Sequence, residues 1–186
     1  VRECCEAAGA REVPLVPKAL AAALGAGLPV QDPSGLMVVD VGGGSTEISV
    51  LSLSGVVTSQ LVPGGGEGWD RALVQYLREE FGLLVGPITA EDLKLTLGRA
   101  IGGSDDDLMT VRGRDLVTGV PRAQEVAACD VTAALRGPLD AIADGIRAAL
   151  EATPPELASD VVENGIVVVG GGAALPEIDR ALSERA

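Results

Sequence analysis

The sequence predicts a layered α/β domain with a mixed sheet, and three observations lead to this fold class. Apolar runs of strand length alternate with longer segments in which apolar residues recur at helical spacing. One run, Leu36–Val41, is nearly all apolar, which is typical of a strand buried on both faces. Three Gly-Gly-Gly triplets, at 42–44, 64–66 and 170–172, each follow a strand-like run. The predicted order is three strands, a helix, a small inserted unit, a helix, a strand and a final helix.

The first third of the chain predicts two short helices followed by the first strands. We expect a helix within residues 1–12, a brief strand at Val13–Val16 and an Ala-rich helix at Ala19–Ala26. After Leu36–Val41, two further strands at Glu47–Leu53 and Val56–Val62 are joined by a Ser54-Gly55 turn.

The middle of the chain predicts helices whose limits are set by capping residues and prolines. After Gly66, helical spacing is shown by Trp69, Leu73, Tyr76, Leu77 and Phe81. A second helix is expected to begin at Thr89, where Thr89-Ala90-Glu91-Asp92 fits a capping box. Asp130 is expected to cap a third helix and Pro138 to begin a fourth, which Pro154-Pro155 ends.

A small hairpin and a last strand complete the prediction. Leu108–Val111 and Leu116–Val120 would pair around Arg112-Gly113-Arg114. Asn164-Gly165 then turns the chain into a buried strand at Ile166–Val169, and the final helix is expected from Pro176.

Length and charge limit the classes of function. A chain of 186 residues can bury the core of one medium domain or two small ones. The net charge is −13, and 14 basic residues scattered among 27 acidic ones supply no basic face for nucleic acid. The chain has no histidine, which excludes histidine-based acid–base catalysis and histidine metal sites.

Cysteine usage and hydropathy indicate a cytosolic setting. Cys4 and Cys5 are adjacent and Cys129 lies far away, so neither a disulfide framework nor metal-ligand spacing is present. The longest apolar run, at 19–30, is shorter than the ~20 residues that a membrane-spanning helix needs. No signal-peptide pattern is found, and the start at Val1 rather than Met indicates a fragment or a processed product.

The first glycine triplet indicates a phosphate-binding hairpin. In Asp40-Val41-Gly42-Gly43-Gly44-Ser45-Thr46-Glu47 a carboxylate ends a buried strand, and the glycines turn directly into the next strand. Neither a Walker loop nor a Rossmann fingerprint fits, because no Gly-Lys-Ser/Thr and no helix follow. Glycine N–H groups and hydroxyls could surround phosphates, and Asp40 could hold Mg²⁺ through water. The alternatives are that each triplet is an ordinary turn and that Asp40 only caps one.

The segment from Asp40 to Glu47 resembles the second phosphate-binding segment of the actin superfamily, which includes heat-shock chaperones and sugar kinases. Further segments are similar to bacterial actins of the MreB type and cover nearly the whole chain. They are Gly65–Asp70, Thr89–Lys94, Val111–Pro121, Thr153–Ala158 and Gly170–Ala173.

The resemblance implies a ribonuclease-H-like, actin-type ATPase lobe, in which helices flank a mixed sheet. Residues 28–186 would form the second lobe, with a smaller inserted subdomain at about 66–129. Residues 1–27 would be a remnant of the first lobe and the hinge helix. ATP and Mg²⁺ would lie in the cleft between two lobes, so this chain would carry at most half of the site.

The resemblance also implies which residues contact the cofactors. The expected nucleotide-binding residues are Gly42, Gly43, Gly44, Ser45, Thr46, Glu67, Glu91, Lys94, Gly170, Gly171, Gly172 and Ala173. Asp40 is the expected Mg²⁺ site, and Thr46 is the one candidate for a catalytic role. Lys94 is expected to face the nucleoside side of the cleft with Glu91, one helical turn away.

One departure from the family concerns catalysis. The family places Glu-Glu-Pro at the start of the hinge helix, where a glutamate helps to polarise the attacking water, whereas this chain has Pro17-Lys18-Ala19. A lysine is a poor general base there, and its charge is expected to pair with a phosphate. The chain is therefore expected to be a partial, hydrolysis-deficient form of an ATPase.

The function implied is an ATP-binding actin homologue that polymerises into cytoskeletal filaments guiding cell shape and cell-wall synthesis. The expected partners are further copies of the protein, cell-wall synthesis proteins and membrane-anchored shape proteins. The filaments would be cytoplasmic and membrane-associated, with no nucleic acid bound and no membrane segment in this chain. Two alternatives are another ATPase or kinase of the superfamily and a non-catalytic interaction module that keeps only the fold.

Overall fold

A four-stranded mixed sheet forms the centre of the fold. The computed structural model describes residues 1–186. Its central strands are β1 (Leu36–Val41), β2 (Ser45–Ser52), β3 (Gly55–Pro63) and β7 (Ile166–Val169), in the order β3-β2-β1-β7. β1 runs antiparallel to β2 and parallel to β7, so the predicted mixed sheet is confirmed.

Both faces of this sheet are covered, because alternate residues of a strand point to opposite sides. The long helix α5 (Ala128–Glu151) covers one face, and the short helix α2 (Lys18–Gly25) covers the other. On the α5 side the strand β1 contributes Met37, Val39 and Val41, and on the α2 side it contributes Leu36 and Val38. By the same alternation, Asp40 lies on the α2 side.

A second, three-stranded sheet lies between β3 and α5 in the chain. It consists of β4 (Leu83–Leu84), β5 (Leu108–Asp115) and β6 (Pro121–Ala127), in the order β4-β5-β6. Two helices accompany it, α3 (Gly66–Glu80) before β4 and α4 (Pro87–Leu97) after it. These elements fall within the range of the predicted insertion. The division of the chain into a lobe remnant, a lobe and a subdomain stays a prediction.

Three short helices and one 3₁₀ turn complete the fold. They are α1 (Arg2–Ala7), α6 (Pro155–Asn164), α7 (Ile178–Arg185) and the 3₁₀ turn Gly171–Ala174. No helix combines the length and the hydropathy needed to cross a bilayer. All three cysteines are free.

The prediction that Pro138 begins a new helix is wrong, because α5 continues through it. A proline inside a helix removes one backbone hydrogen bond and strains the preceding turn at a cost of about 3 kcal/mol. Burial of Leu135, Leu139 and Ile142 on the sheet offsets this cost. Asp130 lies inside the first turn rather than at the cap, where its Oδ2 accepts the N–H of Ala127 at 3.0 Å.

The predicted hairpin around Arg112-Gly113-Arg114 is also wrong, because these residues lie within β5. The turn instead follows Asp115, whose Oδ1 accepts the N–H groups of Val117 at 2.9 Å and Thr118 at 2.8 Å. These hydrogen bonds to the Asp115 side chain form the turn here, and not at Arg112-Gly113-Arg114 as the sequence pattern suggested.

Three smaller differences concern the ends of elements. The strand predicted at Val13–Val16 has no regular structure. α4 begins at Pro87 instead of Thr89, since proline suits the first helical turn. The turn between β2 and β3 is centred on Leu53 and Ser54, both with positive φ, and Gly55 already belongs to β3.

Candidate nucleotide site

The three glycine loops meet at one edge of the central sheet. Asp40 pairs in register with Val169, so Gly170 follows directly beside the end of β1. The N–H of Gly66 donates to the carbonyl oxygen of Gly42 at 3.0 Å, which joins the second loop to the first. The predicted convergence of the glycine triplets and of the ends of β1 and β7 is therefore confirmed.

Close approach explains why glycine is needed at two of these positions. A Cβ atom at Gly65 would lie 2.0 Å from the carbonyl oxygen of Gly42. Gly170 has a φ of +86°, and a Cβ there would lie 2.5 Å from Asp40 Oδ1. Any larger residue would push the loops apart.

The loops enclose a cleft of about 280 Å³. Half of the twelve predicted nucleotide-binding residues line it, namely Gly42, Gly43, Glu91, Lys94, Gly171 and Gly172. The other six, which do not line it, are Gly44, Ser45, Thr46, Glu67, Gly170 and Ala173. Five lining residues were not predicted as contacts, and they are Gly66, Trp69, Leu95, Ala174 and Leu175.

Three larger cavities, of about 460, 480 and 380 Å³, lie elsewhere on the molecule. The first is lined by residues of α3, β4 and α4, the second by residues of α5, α6, β7 and α7, and the third by residues of α4, β5, α5 and the loop between α4 and β5. None of them is lined by the glycine loop that follows β1. The smaller cleft is therefore the better candidate, because chemistry at the loops, and not volume, distinguishes it.

Lys94 is held firmly at one wall of the cleft. Its Nζ lies 2.7 Å from Asp70 Oδ1 and donates to the carbonyl oxygen of Gly66 at 3.0 Å. Asp70 Oδ1 is buried and has no partner other than the Lys94 ammonium group, with which it forms an ion pair. Lys94 thus ties α4 to the start of α3, while Glu91 lines the same cleft from α4. A contact of either residue with a nucleoside stays a prediction.

Thr46 forms a hydrogen bond with the second glycine loop. It is fully buried, and its hydroxyl donates to the carbonyl oxygen of Gly64 at 3.2 Å. Its hydroxyl proton is therefore already engaged in this structure, and a catalytic role for Thr46 stays a prediction. Glu67 lies next to the first loop, since a Cβ on Gly43 would be 3.4 Å from Glu67 Oε1.

Lys18 forms an ion pair with Asp40. Its Nζ lies 2.9 Å from Asp40 Oδ2, with 56% of the Lys18 side chain and 11% of the Asp40 side chain exposed. The position follows from the fold, because α2 packs on the face of the sheet to which Asp40 points.

This ion pair bears on the expected Mg²⁺ site. Mg²⁺ requires near-octahedral oxygen coordination, but one oxygen of Asp40 is already paired with an ammonium group. No group of three or more acidic or cysteine side chains could hold a metal ion anywhere in the chain. While Lys18 is paired with Asp40, the residues present therefore do not fit an Mg²⁺ ion held by this chain alone.

Comparisons with known proteins agree with the fold. A family model described as MreB/Mbl protein matches residues 1–186. The cell shape-determining protein MreB of Escherichia coli K12 is 48% identical over 184 residues, which cover 99% of this chain and 53% of that protein. The cell shape-determining protein Mbl of Bacillus subtilis is 38% identical over 184 residues, covering 99% and 55%. The chain spans about half the length of these curated relatives.

Solved structures give the same result. The crystal structure of MreB 5 of Spiroplasma citri bound to AMPPNP superposes with a TM-score of 0.94 at 33% identity, covering 98% of this chain and 55% of that chain. A MamK double helical filament, at 22% identity and a TM-score of 0.63, shares the fold. The predicted actin-type α/β fold is confirmed, and the chain belongs to the MreB/Mbl protein family.

Proposed function

We propose that this chain forms one wall of an ATP-binding cleft in a bacterial actin, which polymerises into filaments that guide cell shape and cell-wall synthesis. The convergence of three glycine loops beside β1 is the observation that carries this proposal. The S. citri relative was solved with AMPPNP and with ADP, which supports a nucleotide as the ligand.

The first glycine loop offers free donors for phosphate oxygens. The N–H groups of Gly43 and Gly44 have no acceptor within the chain, whereas that of Gly42 donates to Ser45. Two adjacent free N–H groups form a concavity suited to an anion. Phosphates would therefore lie on this loop, with Ser45 and Thr46 behind it and Glu67 beside it.

The opposite wall suits the nucleoside. The 3₁₀ turn that follows Gly170 contributes Gly171 and Gly172 to the cleft, and Ala173 lies within the same turn. Glu91 and Lys94 line the cleft from α4 and supply polar groups for the nucleoside. Mg²⁺ would arrive with the nucleotide, and water-mediated contact with Asp40 would then compete with Lys18.

The remaining parts of the proposal follow from family membership. The filaments would be cytoplasmic and membrane-associated, with cell-wall synthesis and membrane-anchored shape proteins as partners. We further propose that hydrolysis is slow or absent, because Lys18 stands where the family resemblance places a glutamate. Membership of the MreB/Mbl family favours this function over that of a sugar kinase.

A charge placed on the cleft wall tests the nucleotide site. Leu95 is 75% exposed and lines the cleft from α4, so Leu95→Glu should fold normally yet add a negative charge that repels the anionic nucleotide as a whole. We expect ATP affinity of the full-length protein, measured by calorimetry, to fall by about tenfold or more, which is 1.4 kcal/mol. The matched control is Val162→Glu on α6, which is 80% exposed and lies outside this cleft. Equal affinities of the two variants would refute the proposed site.

A further inference from the structure

The contact between Lys18 and Asp40 places an ammonium group at the end of β1, next to the first glycine loop. Asp40 is 8% exposed and ends β1 immediately before the first glycine loop. Its one ion-pair partner is Lys18, and the side chain accepts no hydrogen bond from the rest of the chain. A carboxylate so little exposed to water needs a counter-charge, and the ammonium group supplies it.

The location of Lys18 runs against the preference of its own helix. It is the first residue of α2, and the first turn contains no acidic residue and has no side-chain cap. A helix N-terminus carries a partial positive charge, which disfavours a cation there. Because 56% of the Lys18 side chain is exposed, it could extend into water, yet it lies 2.9 Å from Asp40. The attraction to Asp40 therefore offsets the repulsion between the Lys18 ammonium group and the positive end of the α2 helix dipole.

The first glycine loop lies within reach of the same ammonium group. A Cβ on Gly42 would be 4.0 Å from Lys18 Nζ, so the cation borders both the carboxylate and the start of the loop. A divalent cation bound to Asp40 would have to occupy this same region. The ammonium group and a metal ion would therefore repel each other and compete for Asp40.

We propose that Lys18 acts as a built-in cation that takes the place of a divalent metal ion at Asp40. The Asp40 end of the cleft is neutralised without a metal ion. A second consequence rests on the proposed function. Nucleotide binding by the native protein should depend less on Mg²⁺ than nucleotide binding by a variant that lacks Lys18.

A melting experiment without nucleotide tests the first part. The full-length protein and its Lys18→Ala and Lys18→Arg variants are melted in EDTA and in millimolar MgCl₂ at constant ionic strength, with circular dichroism as the signal. Binding of an ion to the native state alone raises the Tm. Lys18→Ala should melt lower than the native protein in EDTA, and MgCl₂ should raise its Tm in part, because a single carboxylate holds Mg²⁺ weakly. The native protein and Lys18→Arg, which keep the cation, should not respond.

Two further variants locate the effect. The double variant Lys18→Ala/Asp40→Asn lacks the carboxylate and should lose the response to MgCl₂. Arg180→Ala removes an exposed cation that pairs with Glu184 far along the chain, and it should not create a response. The proposal is overturned if the native protein is stabilised by MgCl₂ as much as Lys18→Ala, or if Lys18→Ala does not respond.

Calorimetry with ADP tests the second part. The ratio of the Kd without metal to the Kd with Mg²⁺ should be at least about fivefold larger for Lys18→Ala than for the native protein, the lower end of typical coupling between bound ligands. Equal ratios would overturn the link between Lys18 and metal-assisted nucleotide binding. Failure of the native protein to bind ADP at all would instead overturn the proposed function, and the melting result would stand by itself.

Discussion

The two lysines of this chain border the same loops but are held in different ways. The Lys94 side chain is 11% exposed and bridges an aspartate and a backbone carbonyl. The Lys18 side chain is 56% exposed and has one partner, so its ammonium group stays partly hydrated, while Asp40, at 11% exposed, depends on it for a counter-charge. Lys94 is therefore part of the framework of the cleft, whereas Lys18 lies at its solvent-exposed side.

Replacement of Lys18 by glutamate should restore catalysis. A positioned general base contributes about 10²–10⁴-fold to a rate, and Lys18 cannot serve as that base while it is charged. In the full-length protein we expect Lys18→Glu to release phosphate from ATP faster than the native protein in a steady-state assay. A native rate equal to or above that of the variant would show that another carboxylate already performs this role.

Replacement of Lys94 should destabilise the protein as well as weaken nucleotide binding. Lys94→Met leaves Asp70, whose side chain is 13% exposed, without its counter-charge. Breaking a pair of this kind costs about 3 kcal/mol in the free energy of unfolding, measurable by urea denaturation. The control Arg180→Met breaks an exposed pair and should cost far less. Similar losses for both variants would contradict the framework role of Lys94.

Among the elements, the turn between β5 and β6 depends on a single carboxylate. Asp115 accepts the N–H and the hydroxyl of Thr118, accepts the N–H of Val117, and pairs with Arg122. The backbone hydrogen bond from Thr118 is the largest cause that lowers the pKa of Asp115 below its ordinary value, and the hydroxyl of Thr118 adds to it. The ionised form therefore stabilises the turn.

This lowered pKa predicts a pH-dependent stability. When the pKa in the folded state lies below that in the unfolded state, the stabilisation is fully present above the unfolded value and disappears as the pH falls through the folded value. Asp115→Ala should therefore lower the Tm at neutral pH, and the difference from the native protein should shrink at acid pH. Asp106→Ala, which removes an exposed carboxylate from the preceding loop, serves as the control. A Tm difference for Asp115→Ala that is constant from neutral to acid pH would contradict this account.

Elements defined by short-range patterns could be predicted from the sequence, and those decided by distant packing could not. β1 and β7 were located correctly because their apolar runs are bounded by glycine. The sequence pattern does not predict α6, because Pro154-Pro155 is typical of the end of a helix, although proline also suits the first turn of a following helix. Its position is fixed by Asp160 and Asn164, which hydrogen-bond to Gly35 over 120 residues away.

The same distinction applies to the candidate site. The glycine loops were predicted because the triplets are visible in the sequence, and the structure brings them together as expected. Leu95 and Leu175 were missed because an apolar residue gives no sign that it faces a cleft rather than a core. The partner of Lys18 could not be predicted, since Asp40 meets it only through the packing of α2 on the sheet.

At the scale of the whole molecule, the chain supplies one side of the proposed site. It spans about half the length of its curated relatives, 53% in the case of the E. coli MreB. The free N–H groups of Gly43 and Gly44 can contact a phosphate from one side, which leaves the other side of the nucleotide in water.

The 186-residue chain by itself should therefore bind ATP weakly or undetectably. Each charge-assisted contact that is missing costs about 1.5–3 kcal/mol, so the loss of two or three removes most of a micromolar affinity. Calorimetry on the isolated chain and on the full-length protein measures the difference. Micromolar binding by the isolated chain would show that one side of the cleft is sufficient.

Trp69 gives the cleft an optical signal of its own. It is the one tryptophan of the chain, it lines the cleft from α3, and a Cβ added to Gly172 would lie 3.1 Å from its ring. Because indole emission depends on the polarity and the quenching groups around the ring, light emitted by this chain under tryptophan excitation originates beside the glycine loops. The unlabelled chain thus carries a fluorophore that can report, in real time, when a ligand enters or leaves this cleft.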